Sequence, residues 1–180
     1  MKTTILMVLS FMLVACSTAI PGTPTSTPIP YAEVDLNSLI INLKDLPADI
    51  TEGPQKPMPG MYAALPRSAN EAYKPLVRNG RAAGGIAVFL YENPKDVEDA
   101  YSALVYEFGD DVANLREVGE KAAGVNLVTR LTQNNLLIAD LAFIRCGAVA
   151  HVRMEGYADL EAVTAYAKSL DARLQSQVCR

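Results

Sequence analysis

Residues 136–155 read LLIADLAFIRCGAVAHVRME. Leu136 to Cys146 reads as a long strand, Gly147 as a tight turn, and Ala148 to Glu155 as a second strand. In the second strand Ala148, Ala150, Val152 and Met154 make one face, and Val149, His151, Arg153 and Glu155 the other. Just upstream, Val125, Leu127, Thr129 and Leu131 alternate as a third strand, with Gln133-Asn134-Asn135 as the turn between. Strands that follow one another through short turns pair as an antiparallel meander. Downstream, Asp159 can cap a helix whose Val163, Tyr166, Ala167, Leu170 and Leu174 share one side.

The clearest helix lies further upstream. Asn93 can cap it, Pro94 suits its first position, and Asp96 sits near the positive end of its dipole. Val97, Ala100, Tyr101, Leu104, Val105 and Phe108 form its apolar stripe, and Gly109 ends it. Ahead of it, Ile86 to Tyr91 is apolar on both faces, as a covered central strand would be. Asn79-Gly80 tolerates the positive φ of a two-residue hairpin turn. Gly84-Gly85 leads into a strand, not out of one into a helix, so it allows a bulge or a close backbone approach instead of cradling phosphate. Ser68 to Pro75 reads as a helical turn, Met61 to Leu65 as a short strand, and residues 51–60 as irregular or an edge. Leu36, Leu39, Ile40 and Leu43 recur at helical spacing after Asp35 and stop at Leu46-Pro47. The order is helix, hairpin, strand, helix, meander, helix. It implies an α+β domain in two layers, an antiparallel sheet with helices packed mainly on one face.

The chain begins MKTTILMVLSFMLVACS. One charge at Lys2 precedes an apolar run too short to span a bilayer comfortably, which is the form of an export signal. Leu13-Val14-Ala15-Cys16 resembles the lipobox of bacterial lipoproteins. The resemblance implies cleavage after residue 15, a diacylglycerol thioether on Cys16 and usually an acylated new amino terminus. Residues 17–30, STAIPGTPTSTPIP, are dominated by Pro, Thr and Ser. They form a semi-rigid stalk with a reach of about 3 Å per residue. The divisions are therefore 1–15 signal peptide, 16–30 lipidated cysteine and stalk, and 31–180 one domain. The domain also resembles, in layout, Mog1/PsbP-like and sensor-type α/β domains. Leu46-Pro47 closes a first helix, Ile86 to Phe108 is a strand followed by an amphipathic helix, and Val118 to Ala122 precedes the meander. That likeness implies architecture and names no functional residue.

Once Cys16 is given to lipid, Cys146 and Cys179 remain, an even pair in an exported protein. They could be two separate thiols. The geometry favours a disulfide. Strand 148–155 runs about 26 Å from its turn at about 3.3 Å per residue. A returning helix of about 16 residues climbs about 24 Å. Its end thus comes back beside Cys146, with Cys179 just beyond.

The residues offer little for catalysis. His151 is the sole histidine and needs a nucleophile and an orienting partner to act as a base. It reads as a satisfied or solvent-facing strand residue. One histidine and a paired set of cysteines leave no zinc ligand set. Glu107, Asp110 and Asp111 read as a solvated helix end and lack the spacing of an EF-hand calcium loop. Arg145 and Arg153 both lie near the 146–149 turn and could pair across it, and Arg78, Arg81 and Arg130 complete a possible anion-binding face. Exposed arginines paired with Asp or Glu explain them as well. The net charge is −4, and about −5 once Lys2 is removed, so there is no footprint for nucleic acid. These features lead to the expectation of a non-enzymatic binding or accessory lipoprotein. It would be anchored through Cys16 to the extracytoplasmic side of the cell membrane, without cofactor. Its partner would be an envelope protein. The alternative is a small ligand held in a cleft between helices and sheet, as in sensor or delivery lipoproteins. A deep cavity with converging polar groups would favour the ligand, and a broad exposed apolar patch the protein.

Overall fold

The computed structural model describes residues 30–40, 42–110, 112–131, 134–156 and 160–179, with side chains except at 43 and 127–136. Residues 1–29, which include the expected signal peptide, Cys16 and the expected stalk up to Ile29, lie outside the described residues, as do Asp111, Gln133 and Asp159. Among the described residues seven strands form one antiparallel sheet: β1 (Ile50–Glu52), β2 (Asn70–Arg78), β3 (Arg81–Leu90), β4 (Ala113–Asn114), β5 (Lys121–Leu131), β6 (Asn134–Arg145) and β7 (Ala148–Glu155). Their order in the sheet is β1-β2-β3-β7-β6-β5-β4. The meander is present, running from Lys121↔Ile144 to Leu131↔Asn134 in one pair and from Ile138↔Glu155 to Arg145↔Ala148 in the next.

The helices are α1 (Leu36–Ile40), α2 (Pro94–Tyr106) and α3 (Leu160–Gln177). Asn93 caps α2 by accepting from the Lys95 backbone N–H at 3.0 Å. The fold is α+β, and α1 and α3 share one face of the sheet. There Leu36, Ile40, Val163, Tyr166, Leu170 and Leu174 pack on Ile86, Val88, Leu141, Phe143 and Val152. Each such large side chain contributes about 1.5–3 kcal/mol of burial, set against the entropy of ordering it. The helix α2 lies over part of the other face. Its Val97, Ala100, Tyr101 and Leu104 pack with Phe89, Ala142, Ile144 and Val149. Both faces of β3 are covered, as its continuous apolar run requires. Among the described residues, no helix is long and apolar enough to cross a membrane.

Two local expectations are corrected. Ser68 to Pro75 is not a helical turn, because Asn70 to Arg78 is strand β2, paired with β3 through the Asn79-Gly80 turn. Both turn residues have positive φ, 51° and 74°. Pro75 is tolerated there because its backbone faces the β1 side, where its carbonyl accepts from the Gly53 N–H at 2.8 Å just past the end of β1, so its missing N–H removes no bond from the β2–β3 ladder. The register shifts between Pro75↔Gly85 and Val77↔Ala82, which places a bulge at Ala83-Gly84. Gly84 has φ 100°, and a Cβ on it would overlap the Arg153 carbonyl oxygen. Met61 to Leu65 is not a strand either. Gly60–Tyr62 is a single 3₁₀ turn after Pro59, and it drops the Tyr62 ring into the core.

The candidate ligand cleft and its buried support

The face carrying α2 is covered by that helix mainly over β6 and β7. Near the Asn79-Gly80 turn the segment Pro54 to Tyr62 closes it instead. Four of those residues are Pro54, Pro57, Pro59 and Gly60, so the segment crosses the sheet without becoming a strand. Beneath it is a cleft of about 360 Å³, walled by Pro54, Pro59, Met61, Tyr62 and Pro75. Its polar lining is Tyr73, Arg153, Glu155 and Lys56.

Strand register explains why those polar groups meet. Tyr73 lies opposite Ala87, and Ala87 opposite His151. One step along, Pro75 lies opposite Gly85, Gly85 opposite Arg153, and Arg153 opposite Asp140. A Cβ on Gly85 would overlap the ring and hydroxyl of Tyr73. The missing side chain therefore lets Tyr73 lie across β3 toward β7. Burial raises the Tyr73 hydroxyl pKa, the carboxylate of Glu155 raises it further, and Arg153 opposes them. The hydroxyl thus sits in the field of both charged groups.

Arg153 is fixed from two sides. Its Nη1 donates to Asp140 Oδ2 at 3.1 Å and its Nε to Glu155 Oε1 at 3.2 Å. The Asp140 side chain is only 3% exposed and the His151 side chain 0%. Asp140 Oδ1 and His151 Nε2 face each other at 3.3 Å but outside hydrogen-bond geometry, and among the described residues neither has another hydrogen-bond partner. On the far side of the ring, Nδ1 and the Tyr62 hydroxyl are 2.8 Å apart. Phe108 stacks on the imidazole, with ring centroids 5.9 Å apart. With the Tyr62 hydroxyl donating to Nδ1, Nε2 carries the ring hydrogen 3.3 Å from Asp140 Oδ1, an electrostatic contact and not a hydrogen bond. Burial holds the Tyr62 hydroxyl well above the ordinary tyrosine range, with Tyr73 and Asp140 adding to the shift and Arg153 opposing it. Tyr62 is thus a fixed neutral hydroxyl and a poor nucleophile. The chain Tyr62–His151–Asp140–Arg153 delivers one arginine to the cleft in a set orientation.

His151 is accordingly a buried residue with partners, not a solvent-facing one. Arg145 and Arg153 do not pair across the turn, because the register sets Arg145 opposite Ala148 and Arg153 opposite Asp140. Arg145 instead makes a two-pronged pair with Asp171 of α3, both bonds 2.6 Å. Beside it Cys146 and Cys179 are joined in a disulfide, with Cα atoms 5.5 Å apart. Glu107 and Asp110 are exposed beyond α2, and Gly109 there has φ 78°. Among the described residues no three His, Cys, Asp or Glu side chains are grouped to hold a metal ion. Sequence reasoning did not find Asp140, although a lone carboxylate in LLIADLAFI was its signal. Tyr62 gave no comparable signal. No protein-family model matches the chain, and no curated protein matches it in sequence.

Proposed function

We propose that this is a non-enzymatic lipoprotein, tethered by Cys16 to the extracytoplasmic side of the cell membrane, that binds a small ligand in the cleft beneath Pro54 to Tyr62. The observation that carries this reading is the convergence of Arg153, Glu155 and Tyr73 on one cleft of about 360 Å³. Ligand pockets start at about 300 Å³ and combine apolar walls with a few fixed polar groups. The buried carboxylate behind Arg153 supports it, since a buried charge costs stability unless it is paired, and here the pairing orients a cleft residue. A docking surface for a partner protein has less support. Among the described residues the exposed large apolar side chains are Met61 at the cleft and Tyr106 at the end of α2, 41% and 84% exposed.

The cleft is testable with a set of small zwitterions, carboxylates, amines and neutral aromatics at about millimolar concentration. Thermal shift and NMR on the full mature chain should find a binder among them. In Gly85→Ala the Tyr73 ring must swing away, so binding should weaken about tenfold or more while the circular dichroism spectrum is retained. A binder unaffected by Gly85→Ala, or no binder at all, contradicts the cleft reading.

The anchor is tested separately. Mass spectrometry of the membrane fraction should find a chain starting at Cys16 with a lipid mass added. Cys16→Ser should release the protein from membranes, because two or more acyl chains are what hold it there. An intact signal peptide with unmodified Cys16 would overturn the anchoring.

A further inference from the structure

Building on the ligand-cleft reading, we infer that the cleft takes a free zwitterionic amino acid with an apolar side chain. Charge balance points there first. Arg153 and Lys56 face the cleft with positive charge, Glu155 faces it with negative charge, and Asp140 lies buried against Arg153. The four formal charges cancel. A simple anion approaching Arg153 meets the Glu155 carboxylate already on its Nε, and a simple cation approaching Glu155 meets Arg153. A molecule with both signs a few ångströms apart satisfies both.

Geometry supplies the two ends. Arg153 and Glu155 are two residues apart on one face of β7 and in contact at 3.2 Å. The two bonds from Arg153 use two of its five N–H donors, and a planar guanidinium clamped on Nε and Nη1 keeps the rest in fixed directions for a carboxylate. Glu155 Oε1 takes the Arg153 bond, so Oε2 can accept from an ammonium, with the Tyr73 hydroxyl in the field of the same carboxylate. Tyr62, Met61, Pro54 and Pro75 then form an apolar wall for a side chain. The site lies at the small end of the pocket range, as a ligand of amino-acid size requires.

Calorimetric titration of the full mature lipoprotein in detergent with L-leucine, N-acetyl-L-leucine and L-leucinamide tests this. Leucine should bind, and each blocked analogue should bind about tenfold weaker or worse. Glu155→Gln should bring leucine and N-acetyl-leucine to nearly equal affinity. Arg153→Gln should do the same for leucine and leucinamide. Glu155 is partly exposed, whereas Arg153→Gln also unpairs the buried Asp140, so circular dichroism must show each variant folded before its titration is read. Equal discrimination of the analogues by folded Arg153→Gln and the unaltered protein overturns the proposal. Blocked analogues that bind as tightly as leucine, and lose affinity in Gly85→Ala, overturn the zwitterion while leaving the cleft intact. Absence of binding by leucine also overturns it, and the wider ligand set then decides whether the cleft itself stands.

Discussion

Asp140→Ala is expected to lower stability to urea by about 3–5 kcal/mol, the cost of removing one partner from a buried charged set. The substitution strips Arg153 of the carboxylate at 3.1 Å and His151 of the one facing it at 3.3 Å. It also leaves a void beside a fully buried ring. For a domain of this size each kcal/mol shifts the melting temperature by about 2–4 °C, so the change should be plain in a thermal scan. Asp140→Asn separates the charge from the packing. It keeps the volume and one acceptor for Arg153, and it should cost roughly half as much. Ligand binding should fall in both variants, because Arg153 loses the group that aims it. A loss under about 1 kcal/mol for Asp140→Ala, measured by urea unfolding, would show that the buried chain is not holding Arg153.

Removing the Cys146–Cys179 bridge should cost nearly as much. The bond closes a loop of 33 residues that contains β7 and α3. In the chain-entropy account such a loop corresponds to about 3–4 kcal/mol. The neighbourhood explains why the bond is there. Leu174 and Val178 bury the end of α3, and the Arg145–Asp171 pair fastens the helix one turn earlier. Asp171 also accepts from the Gly119 backbone N–H, which ties in the segment before β5. The double variant Cys146→Ser with Cys179→Ser should unfold at clearly lower urea concentration, with amide exchange rising first at 174–178. Identical unfolding midpoints with and without reductant would contradict this role.

Much of the fold could be read because the turn chemistry was strong. Asn79-Gly80 and Cys146-Gly147 both fixed two-residue hairpins, and the alternation on either side left few choices of register. The helix α2 carried cap, proline and stripe together. The reading failed where an exception depended on a distant partner. Ser68 to Pro75 reads as a helical turn, and Pro75 fits a strand because its backbone faces Gly53 past the end of β1. The 54–62 segment has no period, so its path over the sheet comes from contacts of Tyr62 with residues far along the chain, such as Phe89 and His151.

The site was half legible for the same reason. Counting back from Arg145↔Ala148 puts Asp140 opposite Arg153 and Ala142 opposite His151, all on one face. The buried half of the cleft could thus be derived from the hairpin alone. Tyr62, 89 residues from His151, could not. Nor could Tyr73, whose reach across β3 depends on Gly85 and on a strand that local sequence does not announce.

Amide and methyl NMR of the protein titrated with L-leucine places the ligand without presuming an affinity. Shifts should concentrate at Tyr73, Gly84, Gly85, Arg153 and Glu155, and they should vanish in Asp140→Ala samples that remain folded. Shifts confined to the opposite end of β3, around Tyr91 and Gly147, or no shifts at saturating leucine, would contradict a ligand seated on Arg153.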